Sequence, residues 1–331
     1  MVVSVKHWRH GSMWEKDFVE CLEKSTAAHP LIDEAFDLKQ EHMPERIYKY
    51  FRDCDYSRYN LRTDTVWLSS PHAYNDPYDC AFTISEEMIV ETAIGILIEP
   101  RIEEYNLQDI ISRDAIEKSK RSENPLRSLA EYISMFKSPL PGKYLEGMVE
   151  LTSSVLPELI NNIVSFMPRL QAATKVCSFS AICDSIIMWS HYADYHKGFC
   201  VEYAIEPLMS GHACWQNLYK VIYSPKLYDM TRWAKLLIEP DQGISNSMYP
   251  LLATIHKFDG WAYEEEWRLV LFDLKLTGDR NYHVPTPIRV YLGSRMNTSS
   301  KKAVRAICEE RNIEVSEMHR ATNSFELTAM R

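Results

Sequence analysis

In the run Tyr263-Glu-Glu-Glu-Trp-Arg268, two carboxylates and a guanidinium stand at alternating positions: Glu264, Glu266 and Arg268. If a strand begins at Tyr263, alternation points these three side chains one way and Glu265 and Trp267 the other. Residues 266–274, EWRLVLFDL, read as a buried strand, and charge placed there is costly unless it is paired or used. A structural Glu–Arg pair is one outcome. The other is catalysis, in which a carboxylate steadies a cationic transition state.

Three further clusters have residue types that fit a site. Met188-Trp-Ser-His-Tyr192 leads into His196-Lys197-Gly198. His191 is a candidate general acid or base, since imidazole titrates near neutral pH. Trp189 and Tyr192 are either core aromatics or faces on which a planar ring stacks. Lys197-Gly198 reads as a helix stop, with phosphate binding as the other role for Lys197. His191 and His196 are five residues apart, so they do not form the four-apart zinc pair of a helix. The second cluster is Ser69-Ser70-Pro-His-Ala-Tyr-Asn75-Asp76-Pro-Tyr-Asp79, where Asn and Asp bond their own backbone and Pro fixes φ. Asn75, Asp76 and Asp79 either cap this turn or bind a ligand from a rigid loop. Two aspartates are too few for a dedicated metal site, so no metal is expected. The third cluster is Arg46-Ile-Tyr-Lys49-Tyr50, basic and aromatic, on a strand over residues 46–51.

Strands dispersed among helices without regular βαβ alternation must hold these clusters, which predicts an α+β fold with a mixed or antiparallel sheet. Residues 12–41 read as two helices broken at His29-Pro30, and the chain divides into a helical extension, 1–44, and one α+β domain, 45–331. Strands are expected at 65–71, 80–84, 218–224 and 287–293, and a helix at 301–312. Residues 176–202 read as strand, turn, short helix, glycine turn, strand. Residues 85–170 read as a helical insertion, kinked or broken at Pro157, that serves as a lid or a protein-partner surface.

A net charge of −9 argues against nonspecific binding to nucleic acid, which needs a basic surface. No run approaches the roughly 18 apolar residues of a membrane span, and no signal-peptide core opens the chain. None of the eight cysteines forms a C-x-x-C pair, which points to buried free thiols and a cytoplasmic location. There is neither G-x-G-x-x-G nor a P-loop.

The four clusters, YKY (48–50), SSPHAYNDPYD (69–79), MWSHYADYHKG (188–198) and WAYEEEWR (261–268), resemble the ordered motifs of family 2971 of the bacterial domains of unknown function. That resemblance implies a shared fold and site and carries no activity. E-x-E on a strand, after a serine-bearing strand and a basic-aromatic first strand, also looks like the mono-ADP-ribosyltransferases. This second resemblance implies a split sheet and NAD as substrate. Arg46 or Lys49 would contact NAD, Ser69 or Ser70 would shape the nicotinamide site, and Glu266 would hold a ribose hydroxyl as the glycosidic bond breaks. Glu264 would orient the acceptor, Tyr50 or Trp189 would stack on a ring, and Asn75, Asp76, Tyr192, Lys197 and Arg268 would complete the ligand contacts. It implies an NAD-cleaving or ADP-ribosyltransferase-like enzyme with a macromolecular acceptor, in a toxin or antiphage setting. Two alternatives stay open: a hydrolase or nuclease using His191 with Asp76 and Asp79, and a non-catalytic ligand-sensing or protein-interaction module.

Overall fold

The structure, a computed structural model, describes residues 13–25, 30–135, 142–205, 213–238, 248–272, 275 and 278–330. Parts of the expected elements, at Ser12, His29, 136–137 and 273–274, lie outside the described residues.

An eight-stranded sheet organises the chain. Its order is Leu327–Met330, Glu314–Arg320, Arg289–Leu292, Phe199–Ala204, Arg46–Phe51, Thr174–Ser180, Glu266–Phe272, Leu218–Lys220. Neighbours run antiparallel except Arg289–Leu292 with Glu314–Arg320, which are parallel and joined by the helix Thr298–Glu310. The fold is therefore α+β, as the scatter of strands among helices predicts. Arg46–Phe51 pairs along its whole length with Phe199–Ala204, from Arg46↔Ala204 to Phe51↔Phe199. On its other side it meets Thr174–Ser180 at one registered pair, Tyr48↔Ser180.

Helices lie on both faces: Thr298–Glu310 packs into a core with Ile47, Val201 and Leu269, and a larger helical group shares a separate core with Tyr219 and Val270. The block after residue 85 contains Glu86–Ala93, Glu99–Glu104, Arg113–Lys120, Pro125–Ser134, Gly142–Glu150 and Leu156–Ala173. Widened π turns, Ile94–Ile98 and Leu151–Val155, join helices within it. Pro157 follows the widened turn Leu151–Val155 directly, and the backbone stays helical from that turn into the last helix. The block shares one apolar core with the N-terminal helices Met13–Lys24 and Ile32–Glu41. Phe18, Leu22 and Ala35 pack with Ile89, Ile98 and Leu129. No helix among the described residues is long and apolar enough to cross a membrane. All eight cysteines are free, and Cys80, Cys177, Cys200, Cys214 and Cys308 are buried.

Several local expectations are corrected. No strand begins at Tyr263: Asp259–Glu264 is a 3-10 turn, Glu265 is left-handed at φ 46°, and the strand starts at Glu266. The 218–224 segment breaks at Val221, and Ile222–Ser224 pairs instead with His256–Phe258. The strand expected at 80–84 is only Phe82–Thr83, and the one at 65–71 is Thr65–Leu68, paired with Arg280–His283. The short helix is Ile186–Tyr192, so it stops before Lys197-Gly198. The chain reverses through Asp194, Tyr195 and His196, all left-handed, rather than through glycine. Gly198 answers a different need: a Cβ there would lie 2.0 Å from the Phe51 carbonyl oxygen.

Candidate functional site

Where Arg46–Phe51 and Thr174–Ser180 fail to pair, a cavity of about 420 Å³ opens. Residues of both strands line it, Tyr48 to Phe51 on one side and Val176 to Ser180 on the other. Lys49 spans the gap: its ammonium donates to the Ser178 carbonyl at 2.9 Å and lies 5.6 Å from the ring centres of Phe51 and Phe179. Ser69 bridges Val176 through the backbone and so brings the Ser69–Asp79 turn to the wall. The helix Asp55–Thr63 brings Tyr56 and Asn60 to the cavity, and Trp67 meets Tyr56 edge to face at 5.5 Å.

Charge collects in Asp79, Lys257, Glu264, Glu266 and Arg268, each at most 8% exposed. Lys257 donates to Glu264 Oε2 at 2.6 Å and Glu266 Oε2 at 2.8 Å, and stands 3.7 Å from Asp79 Oδ2. Arg268 donates to Glu266 Oε1 at 2.8 Å, to Asp79 Oδ1 at 2.6 Å and to the Thr254 carbonyl at 2.6 Å. Tyr192 donates its hydroxyl to Glu264 Oε1 at 2.5 Å. Three buried carboxylates thus face two cations, with Tyr192 as a neutral donor.

Glu266, Arg268, Lys257 and Glu264 do not titrate alike. Burial pushes the Glu266 carboxyl up, but Arg268 and then Lys257 more than offset this and hold it well below the usual carboxylate range. Burial likewise opposes the charge on Arg268, and Glu266 and Asp79 keep it firmly protonated. Burial depresses Lys257, yet Glu266 leads the carboxylates that raise it above its ordinary value. Glu264 differs: burial raises its carboxyl, Lys257 offsets only part of that, and Glu266 adds to it. Of the two glutamates, it is Glu264 that more readily holds a proton.

Of the residues singled out in the sequence, Lys49, Tyr50, Ser69, Asn75, Asp79, Tyr192, Glu264 and Glu266 line the cavity. Arg268 lies in the same network with no exposed surface. Asp76 accepts from Trp261 Nε1 at 2.7 Å and from the Tyr78 backbone at 2.8 Å, holding the two loops together. Five others are not among the lining residues. Arg46 stands 3.7 Å from Glu202 on another part of the sheet. The Ser70 backbone donates to Asp279 at 3.0 Å and its hydroxyl is buried. Trp189 is a core residue with no exposed surface, donating Nε1 to the Cys183 carbonyl. His191 is exposed, with Nδ1 3.3 Å from the Tyr263 hydroxyl. Lys197 lies in the exposed turn, 6.0 Å from the Tyr195 ring.

Sequence reasoning missed Lys257 as a site residue, although it lies in the same cluster as Glu264. Three carboxylates and a single arginine on buried elements already call for another cation, and that was the usable signal. The cavity residues Tyr48, Arg52, Tyr56 and Trp67 were missed as well.

Neither the curated proteins nor the solved structures give a match to this chain. Residues 188–269, the stretch that carries Tyr192, Lys257, Glu264, Glu266 and Arg268, match the model of a family described as a protein of unknown function, DUF2971.

Proposed function

We propose that the cavity binds a nucleotide-like small molecule and that the protein cleaves the nicotinamide–ribose bond of NAD. The observation that carries this reading is the meeting of four separate sequence clusters on one open cavity, with the Glu264 carboxyl in its wall. Both oxygens of Glu266 are held by cations, Arg268 and Lys257, whereas Glu264 shares Lys257 and takes only the neutral Tyr192 hydroxyl on its other oxygen, so the transition-state role expected of Glu266 passes to Glu264. The C1′–N bond breaks with its electron pair leaving on nicotinamide, and an oxocarbenium-like sugar results, as in glycoside cleavage. The Glu264 carboxylate stabilises that cation. Its raised proton affinity suits it to accept the proton of the incoming water or acceptor hydroxyl. Glu266 holds the two cations in place, and Tyr50 and Tyr192 supply aromatic faces. A macromolecular acceptor, and a toxin or antiphage setting, rest on the resemblance to ADP-ribosyltransferases alone.

The test is incubation with NAD, with free nicotinamide followed by chromatography and NAD affinity measured separately by calorimetry. Wild type releases nicotinamide, and Glu264→Gln lowers the rate about 100-fold or more while still binding NAD. No release with or without cell lysate as acceptor source, or an unimpaired Glu264→Gln, overturns the reading.

The mutual pairing of Asp79, Lys257, Glu264, Glu266 and Arg268 favours a second reading, a ligand-sensing module that binds in the same cavity without turnover. Nucleotide binding with no product formed would select it. The hydrolase alternative finds less to work with: Arg268 occupies Asp79, Trp261 occupies Asp76, and His191 is not among the lining residues.

A further inference from the structure

The wall of the sheet cavity changes character along the chain. Its carboxylates, Asp79, Glu264 and Glu266, all belong to the network closed by Lys257 and Arg268. The segment after the strand Arg46–Phe51 contributes Arg52, Tyr56, Ser57, Asn60 and Trp67, and no carboxylate. The acids of that segment are accounted for elsewhere. Asp53 is held by Arg58 at 2.6 Å and Asp64 by Arg311 at 2.5 Å. Asp55 is exposed and not in the lining.

Two cations of the lining lack an acidic partner. Arg52 is exposed and has no carboxylate partner among the described residues. The Lys49 ammonium crosses the gap between the walls and donates to the Ser178 carbonyl at 2.9 Å. It too has no carboxylate partner among the described residues, and an ammonium carries two donors more than that one bond uses. In a chain of net charge −9, two cations without countercharge on one cavity favour an anionic ligand.

Beside them stand two exposed aromatic rings. Trp67 lies on the strand Thr65–Leu68, where alternation buries Val66 and Leu68 and leaves the tryptophan 40% exposed. Tyr56, 44% exposed, meets it edge to face at 5.5 Å. The Tyr56 hydroxyl donates to Asn281 Oδ1 at 2.7 Å, and Asn281 is registered opposite Trp67 across the strand pair. Each ring is thus braced by the other and by the Arg280–His283 strand. A platform set before the ligand arrives lowers the cost of binding.

We propose that this part of the cavity is a nucleoside-diphosphate subsite, in which Trp67 stacks on the base and Lys49 and Arg52 bind the two phosphates. Tyr56 positions the indole. Stacking reads the face of a base rather than its edge, so the subsite selects an aromatic ring joined to a diphosphate and reads the base loosely. The inference rests on the reading of the cavity as a nucleotide site and says which residues hold the half of a dinucleotide that does not react. Binding energy from that half holds the reacting sugar at Glu264.

Calorimetric titration of the full chain with ADP, adenosine and inorganic diphosphate at fixed ionic strength tests the assignment. ADP binds most tightly, and adenosine and diphosphate each bind about tenfold or more weakly. Trp67→Ala weakens ADP binding by about tenfold or more and leaves diphosphate binding unchanged, whereas Trp67→Phe, which keeps a stacking face, retains ADP binding. Arg52→Ala weakens ADP and diphosphate alike. Both positions are exposed, so these truncations leave the core untouched. ADP binding needs no turnover: a chain that binds ADP in this pattern but releases no nicotinamide supports the subsite and refutes NAD cleavage. Nicotinamide release with the same KM in wild type and Trp67→Ala refutes the subsite and not the cleavage. Absence of ADP binding, ADP bound no more tightly than diphosphate, or equal ADP affinity in wild type and Trp67→Ala overturns the proposal.

Discussion

Lys257→Met removes the cation shared by three carboxylates. Lys257 lies 2.6 Å from Glu264, 2.8 Å from Glu266 and 3.7 Å from Asp79. At an effective dielectric of about 20 each such contact is worth roughly 4–6 kcal/mol before desolvation is counted. Desolvating the ammonium takes much of this back, and breaking a buried pair by deleting one partner has a net cost of about 3–5 kcal/mol. The loss should depend on pH in a set direction. Lys257 itself titrates above its ordinary 10.5, so in wild type its contribution is fully present at both pH 5 and pH 8. Glu264 already titrates above its ordinary 4.5, and Lys257 restrains that rise. In the variant the rise is larger. The folded chain then keeps a proton that the unfolded chain gives up as pH passes 4.5, so stability falls as pH climbs toward the folded value. The variant is therefore closer to wild type at pH 5 than at pH 8. Thermal unfolding followed by circular dichroism reads this as a fall of order 10 °C at pH 8, shrinking at pH 5. A deficit equal at the two pH values, or larger at pH 5, would refute the argument that Lys257 compensates the carboxylates.

Three other outcomes are expected. Tyr192→Phe deletes a donor to a buried carboxyl and should destabilise the fold by about 1.5–3 kcal/mol in denaturant titration, with Glu264 titrating higher still; no loss would mean the 2.5 Å contact carries no energy. Lys39 is 1% exposed beside Phe36 and Tyr219, and burial lowers its ammonium to about 7. The unfolded chain therefore binds the extra proton between about 7 and 10.5, and wild-type stability should climb relative to Lys39→Met across that window, by of order a few kcal/mol; parallel melting curves at pH 6 and pH 10 would count against it. Gly198→Ala would drive a Cβ to 2.0 Å from a backbone oxygen, so it should abolish soluble expression or lower the melting temperature by at least about 10 °C.

The α+β class was legible because alternation and apolar runs mark strands such as Arg46–Phe51 and Glu266–Phe272 directly. The cavity helix Asp55–Thr63 was not, for a physical reason. Its buried positions are Ser57, Asn60 and Leu61, so the face that packs is largely polar and leaves no apolar stripe to read. The location of Glu264 was anticipated through the wrong geometry. Strand alternation would have set it on one strand face with Glu266; a 3-10 turn and a left-handed Glu265 instead bring it round to the Lys257 ammonium that Glu266 shares. A run of three glutamates gives no hint of a backbone inversion between its second and third members. Arg46 and Lys49 were indistinguishable as candidates, because which of them faces a gap depends on the neighbour on each side. Pairing with Phe199–Ala204 is complete, and only the gap toward Thr174–Ser180 leaves room for Lys49 to cross.

That incomplete pairing also bears on how the chain is made. Arg46–Phe51 is synthesised well before its full partner, Phe199–Ala204, which lies on the far side of the whole helical block. Contacts so distant in sequence form slowly. Until they do, the newborn chain presents Ile47, Tyr48 and Tyr50 on a strand with both edges bare, the kind of surface that aggregates or recruits chaperones. The opposite wall, Thr174–Ser180, also emerges before its partner Glu266–Phe272. Both walls of the cavity therefore come together late. Pulse-labelled amide exchange should find protection in the helical block before it appears at residues 46–51.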